Sequence, residues 1–366
     1  MDPYESAPNQ RGAERWVEPA WRQTARSIMR GIGHKSEEGR LARGWRSLAP
    51  PARGLGNPLE LEHYPCDLCG GIDAKDVAVG EDFEYWTSPD SFLMVRCDSC
   101  SLVYLDPRPA VCELGRIYPD DYHAFAFDDE RFGLVHRVRS GLEARRLLAW
   151  LADPGPRARI ADVGCGDGFH LDLLRTGRPT WDLVGIEPDD RAAAAAASRG
   201  LRVIHSTFEE AGLGPASLDA VLLIQTIEHV PHPRQLLTAI ADALRPGGRL
   251  IVVTDNVGSP DFRVFGGRHW GGHHFPRHWH LYSRDTLSAT AEAAGLEVAS
   301  IATIVSPVNW VYSVRNVLAD LGVGDRTLRH LSLRSPVALA AGTVLDTLLS
   351  ATGNGALLKA VFQRPA

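Results

Sequence analysis

The sequence predicts an α/β fold: a doubly wound sheet, preceded by a small four-cysteine module and interrupted near its end by a helical insertion. Three observations predict it. From Arg157 onward, short apolar strands alternate with helical segments, the pattern of strands joined by helical crossovers. Within that pattern the apolar stretch Ile160–Val163 runs straight into Gly164-Cys165-Gly166-Asp167-Gly168 and then into an apolar-periodic helix start. Glycines at such a turn let the backbone approach a ligand closely. Upstream, two C-x-x-C pairs, Cys66/Cys69 and Cys97/Cys100, mark a separate compact unit.

The chain has 366 residues, 44% of them hydrophobic and 23% charged. That is enough to bury a core in one large or two moderate domains, and it excludes wholesale disorder and a disulfide-stapled miniprotein. The net charge of −6 supplies no global basic field, so nucleic acid is not an expected partner. The charge is uneven: residues 1–56 hold ten Lys/Arg against six Asp/Glu. The start, MDPYESAPNQ, lacks a basic region followed by an apolar one. No uninterrupted apolar run approaches the roughly 18 residues of a membrane-spanning helix, so a soluble, cytoplasmic chain is expected.

Four regions follow. Residues 1–60 read as a basic, disordered tail carrying Trp16, Trp21 and Trp45, and residues 61–106 as the cysteine module. Residues 107–150 read as a helical linker with an apolar stripe of Phe132, Val135, Val138, Leu142, Leu147 and Leu148. Residues 151–366 form the main domain, with the helical insertion at 305–357.

In the module, CDLCG (66–70) and CDSCS (97–101) are separated so that two thiolate pairs can converge on one tetrahedral ion. The two-residue spacers aim both sulfurs of a pair at the same point, and Gly70 and Gly71 let the backbone turn beneath it. Four protein ligands leave no open position, so a structural Zn²⁺ on Cys66, Cys69, Cys97 and Cys100 is expected. Redox chemistry fits less well, because neither pair opens a helix in a strand–helix–strand unit.

The next strand, Asp182–Glu187, ends in an acid about 20 residues after the glycine loop, placed to hold ribose hydroxyls. Here the chain resembles the class I S-adenosylmethionine-dependent methyltransferases. The matching pieces are DVGCGDG (162–168), GIEPDD (185–190), LDAVLLIQTIEHVPHP (218–233) and LRPGGRLIVV (244–253), in the family's order. The resemblance implies a Rossmann-like methyltransferase sheet over about residues 140–304, with a last strand at Lys359–Arg364. It implies that Asp162, Gly164, Cys165, Gly166 and Gly168 hold the methionine part of the cofactor and Glu187 the ribose. Thr207 and Phe208 would flank adenine, and Gln225 would face cofactor and substrate. A nicotinamide dehydrogenase shares the glycine loop and acid, but leaves the LRPGG turn and EHVPHP unexplained.

Residues 266–284, GGRHWGGHHFPRHWHLYSR, hold five of the 14 histidines: His269, His273, His274, His278 and His280. The segment follows a strand, so it should lie over the ligand crevice of an open α/β sheet. His229, His278 and His280, with Glu228 as orienter, are candidate catalytic groups toward an acceptor hydroxyl. The E-H pair followed by H-x-Y-S-R also resembles metal-dependent O-methyltransferases, among them ubiquinone-pathway enzymes and small-RNA 2′-O-methyltransferases. Their E-x-x-E-H pattern has Gln225 here in place of the first acid, a poorer ligand for a hard cation. The string FPRH (275–278) and YPDDY (118–122) also resemble bacterial methyltransferases with an N-terminal zinc module, many associated with polysaccharide or secondary-metabolite pathways.

Between Ser335 and Leu357 the insertion carries a single charge, Asp346. It fits helices packed on the core, a lid over a greasy acceptor, or the face of a homodimer. The resulting expectation is methyl transfer to a small-molecule, glycan or lipid-like acceptor by in-line displacement. Three alternatives are an RNA or protein methyltransferase that uses the zinc module for recognition, a sugar C-methyltransferase, and a non-catalytic protein that binds S-adenosylmethionine.

Overall fold

The computed structural model describes residues 57–119, 122, 134–333 and 335–366. The tail with its three tryptophans lies outside the described residues, except for 57–60, as do Asp120 and Asp121 of the YPDDY stretch and Phe132.

Strand character follows the apolar runs. The main sheet contains β6 (Arg159–Val163), β7 (Asp182–Ile186), β8 (Val203–Ile204), β9 (Leu218–Ile224), β10 (Leu244–Asp255), β12 (Glu297–Ile304) and β13 (Leu357–Gln363), in the order β12-β13-β10-β9-β6-β7-β8. β10 through β8 pair in parallel, whereas β13 runs antiparallel between β10 and β12. Buried on both faces, β9 and β10 read as near-continuous hydrophobic runs. The final strand starts two residues earlier than expected and, as expected, follows the insertion.

Helices fill the crossovers: α1 (Leu134–Leu151), α2 (Phe169–Gly177), α3 (Asp190–Ser198), α4 (Pro233–Ala243) and, after the histidine-rich segment, α6 (Arg284–Ala293). Their starts are capped locally. Asp189 accepts the amides of Arg191 and Ala192, and Ser283 forms a reciprocal box with Thr286. In α1, Leu147 is buried but Leu142 is half exposed, so the helix stripe is narrower than the sequence suggests.

The cysteine module is a second, four-stranded sheet in the order β11-β4-β3-β2, with β2 (Ala74–Gly80), β3 (Phe92–Cys97) and β4 (Val103–Leu105) from the module itself. Its fourth strand, β11 (His280–Leu281), comes from the histidine-rich segment, pairing His280 with Tyr104 and Leu281 with Val103. A short β1 (Leu61–Glu62) pairs with β5 (Arg108–Pro109). One core therefore runs from Cys66 and Val95 through Tyr104 and Tyr282 to Leu223 and Val252 of the main sheet. A single turn of helix, α5 (Pro260–Phe265), opens the histidine-rich segment, and the insertion contributes α7 (Val308–Asp320) and α8 (Pro336–Ser350). No described helix is long and apolar enough to cross a membrane.

Candidate active site

The two C-x-x-C turns are built alike. Gly70 N–H donates to Cys66 O at 2.7 Å and Ser101 N–H to Cys97 O at 3.0 Å, and both Gly70 (φ +74°) and Ser101 (φ +66°) are left-handed. These turns bring the four sulfurs within 4.8 Å of one another, with Cys66–Cys100 at 3.4 Å and Cys69–Cys97 at 3.5 Å. Thiolates around a tetrahedral zinc at 2.3 Å stand about 3.8 Å apart, so the cluster has zinc-like dimensions. Burial pushes the Cys66 and Cys100 thiols up, whereas the backbone amides of Cys100 and Ser99 outweigh burial at Cys97 and bring it to about 7.

At the carboxyl ends of β6 and β7, Gly164, Gly166 and Gly168 all take positive φ, at 68°, 55° and 82°. A Cβ at Gly164 would lie 2.6 Å from the Thr226 side chain, and one at Gly168 would lie 2.2 Å from Leu201, so both positions need glycine. Glu187, almost fully buried, accepts Gly166 N–H at 2.8 Å through one oxygen and Asp189 N–H at 2.9 Å through the other. Each oxygen keeps a second lone pair for a ligand hydroxyl. Burial raises its carboxyl above the ordinary range, and those amides partly oppose the rise.

Asp162 ends β6 beneath this loop. It is buried, its Oδ2 has no hydrogen-bond partner among the described residues, and the nearest cation candidate, His170 Nδ1, stands 3.9 Å away. Burial, with the Glu187 charge adding, pushes its carboxyl up to about 8. Two buried acids around an open glycine turn form a donor set suited to a ligand with a ribose and an ammonium group.

Just beyond the carboxyl end of β9, Glu228 and His229 meet His278 of the histidine-rich segment, their ligand atoms within 4.8 Å of one another. Gln225, itself left-handed at φ +53°, donates through Nε2 to Glu228, and Thr254 Oγ1 donates at 2.9 Å. Burial lifts Glu228 to about 7 against those two bonds. His278 Nδ1 lies 2.8 Å from Gly272 O, so its proton sits there and Nε2 carries the lone pair. Asp255 Oδ2 is 3.4 Å from the same Nδ1, and Asn309 of α7 donates to Asp255 Oδ1 at 2.6 Å. Burial, followed by the neighbouring His229 and His274, holds His278 well below the usual imidazole range, and it is neutral near pH 7. His229 Nδ1 meets Arg277 O at 3.1 Å and Tyr118 Oη at 3.0 Å, and its ring stands 4.6 Å from that of His278.

The sequence also matches known proteins. A family model described as a methyltransferase domain matches residues 134–301. The ubiquinone biosynthesis O-methyltransferase of Cereibacter sphaeroides (strain ATCC 17025) is 30% identical over 178 residues, covering 45% of this chain and 70% of that protein. This chain belongs to the class I S-adenosylmethionine-dependent methyltransferases. A second relative, the ubiquinone biosynthesis O-methyltransferase of Aeromonas salmonicida, is 33% identical over 117 residues, 30% of this chain, and the match spans about half (49%) of that relative's length. Among solved structures, a methyltransferase of Archaeoglobus fulgidus (TM-score 0.42, 18% identity, 66% of this chain and all of that one) is similar. So is a geranyl diphosphate C-methyltransferase of Streptomyces coelicolor (TM-score 0.44, 16% identity, 65% and 85%).

In this methyltransferase the predicted residues divide. His280 does not join the Glu228–His229–His278 cluster: its side chain is buried at the seam with the module, where Asp67, Arg108 and His232 are its charged neighbours, and burial lowers it to about 3. Cys165 turns its thiol inward, packed against Gly185 and Leu171, so only its backbone can face the crevice. Phe208 packs in the main core with Val163 and Ile186, and Thr207 donates to Glu210.

Sequence reasoning missed the partners that complete the site. Glu84 of the module meets His274 Nδ1 at 2.8 Å, and the His274 ring stands 4.9 Å from His278. Arg277, fully buried, pairs its guanidinium with both oxygens of Asp82 (3.1 and 2.8 Å) and donates through Nε to Ile117 O. That pair clamps the histidine-rich segment to the module. The YPDDY stretch was the one signal pointing here, since Tyr118 and Tyr122 both face these histidines.

Proposed function

We propose that this methyltransferase moves the methyl group of S-adenosylmethionine to a small-molecule acceptor, with the cysteine module folded around a structural zinc. The observation that supports the reading is a glycine turn with two buried acids at the carboxyl ends of β6 and β7, together with the Glu228–His229–His278 cluster that follows the neighbouring strand β9. Glu187 would take the ribose hydroxyls, and Asp162 with the amides of Gly164 to Gly168 the methionine end. Bound there, the cofactor supplies an already activated methyl group. The chain's task is to align the acceptor behind it at roughly 3 Å and to exclude water.

His278 is the best-placed base. Its Nδ1 proton is held by Gly272 O, so Nε2 can take a proton from an acceptor hydroxyl. Asp255, whose carboxyl burial and the neighbouring Glu228 hold well above the usual range, would help to orient the ring through Nδ1, and Glu228, which burial lifts to about 7, can relay the proton. The ubiquinone O-methyltransferase relatives make an O-acceptor the first class to screen. The four-thiol cluster matches a structural zinc in ligand type, number and spacing.

A second reading has its own observation: two histidines and a carboxyl with ligand atoms within 4.8 Å could hold a divalent cation that orients the acceptor oxygen. One experiment tests both. Elemental analysis and calorimetry with S-adenosylhomocysteine are run on wild type, Glu187→Ala and His229→Ala. One zinc per chain with binding lost in Glu187→Ala supports the main reading. A second metal equivalent lost in His229→Ala supports the metal-assisted one. A folded wild type that binds no cofactor refutes both.

A further inference from the structure

We propose that helix α8 of the insertion docks the protein on an anionic lipid surface, lying along the surface rather than crossing it. The proposal does not depend on the acceptor or on the site assignments above.

α8 touches the protein along one narrow edge. A Cβ at Gly342 would lie 3.0–3.2 Å from Pro307, so this turn is pressed against the start of α7. One turn on, Asp346 is buried and fully engaged: it accepts Ser306 N–H at 2.8 Å, Ala356 N–H at 3.3 Å and Trp310 Nε1–H at 3.1 Å. The helix's single charge is thus spent inward. On the opposite side Val337, Ala341, Val344 and Leu348 follow helical spacing outward, and Val337, Val344 and Leu348 are 81%, 65% and 67% exposed. A water-facing stripe normally carries charge at these positions. This one carries none.

The polar groups on the exposed surface are suited to a dry environment. Thr343 and Thr347 turn their hydroxyls back to the carbonyls of Leu339 (2.7 Å) and Thr343 (2.6 Å), leaving methyl groups outward. A helix that satisfies its own hydroxyls can enter an apolar medium at little cost. At 15 residues it is about 22 Å long, too short to cross a bilayer.

Charge selects the kind of surface. The turn leading into α8 exposes Arg326 and Arg329, and neither makes an ion pair among the described residues. An apolar stripe preceded in the chain by two exposed, unpaired arginines complements lipid headgroups that carry negative charge. A second copy of the chain docked through the same acid-free stripe would offer those arginines no counter-charge.

The test is flotation of the full chain with phosphatidylcholine vesicles, with and without phosphatidylglycerol. Wild type should float with the anionic vesicles. Val344→Glu/Leu348→Glu should abolish flotation while keeping the circular-dichroism melt of wild type, since both side chains are solvent-exposed. Arg326→Ala/Arg329→Ala should weaken binding roughly 25-fold, about fivefold per arginine. Three results would overturn the proposal. Wild type could fail to float. The Glu pair could float as wild type does, which would assign binding to the basic residues 1–56. Light scattering could show a concentration-dependent dimer that the Glu pair disrupts, with no vesicle binding, which would make α8 a subunit interface.

Discussion

Asp162 offers the sharpest test of the cofactor site. Its carboxyl is buried, has an unpartnered oxygen, and is pushed up to about 8 by burial and by Glu187. At pH 7 a group titrating near 8 is about nine-tenths protonated in the free protein. An ammonium-bearing ligand docked beside it favours the charged form, so binding should expel that proton. Calorimetry with S-adenosylhomocysteine at pH 7, in phosphate and in Tris, should report a release of about 0.5–0.9 proton per site. The release should shrink to roughly a tenth above pH 9, where the carboxyl is already ionised, and should vanish in Asp162→Asn. The folded carboxyl titrates above its unfolded value of about 3.9, so its favourable contribution is complete below pH 4 and is lost as pH climbs to about 8. In Asp162→Asn the melting temperature should fall less between pH 5 and 8 than in wild type. A binding heat independent of buffer, or a release that survives in Asp162→Asn, would show that this carboxyl does not meet the ligand.

Three further outcomes are expected. Asp82→Asn leaves the Arg277 guanidinium buried without its counter-charge, so urea unfolding should show a loss of about 3–5 kcal/mol, and a loss under about 1 kcal/mol would mean the clamp contributes little. The double variant Asp82→Leu/Arg277→Met should recover part of that loss. Gly164→Ala combines a φ of +68° with a Cβ 2.6 Å from Thr226, so it should cost at least about 2 kcal/mol in the same assay and abolish cofactor binding. Chelation, or Cys69→Ser, should remove about one zinc equivalent and lower the melting temperature, and a chain that melts unchanged without metal would leave the four thiols without a structural role.

What the sequence revealed and what it hid have physical reasons. The glycine turn, the acid after β7 and the two cysteine pairs are local signals: each requires particular residue types within a few positions, and Gly164, Gly168 and Gly70 sit at positive φ as such signals demand. The side chains that complete the site are joined over long separations. Arg277 and Asp82 are 195 residues apart, and Tyr118 and His229 are 111 apart, so no window of sequence contains the contact. The histidines show the same limit at short range. His278 and His280 look equivalent in the string HWH, but β11 begins only at His280. The alternation of a strand does not yet apply at His278, and one ring joins Glu228 and His229 while the other packs at the seam. Cys165 is the reverse case: the motif sets its backbone in the glycine turn but says nothing of a thiol that fills space against Gly185.

The shared sheet changes what the cysteine module can be. Because β11 belongs to the histidine-rich segment yet pairs with β4 of the module, the segment is held in place in part by the module. Two side-chain contacts reinforce that dependence: Asp82 neutralises the buried Arg277, and Glu84 fixes the Nδ1 proton of His274. The glycine turn, by contrast, is held by β6, β7 and Thr226 of the main sheet. The two halves of the site therefore have separate foundations. Changes in the module should reach the acceptor side through the histidines and leave the cofactor side in place.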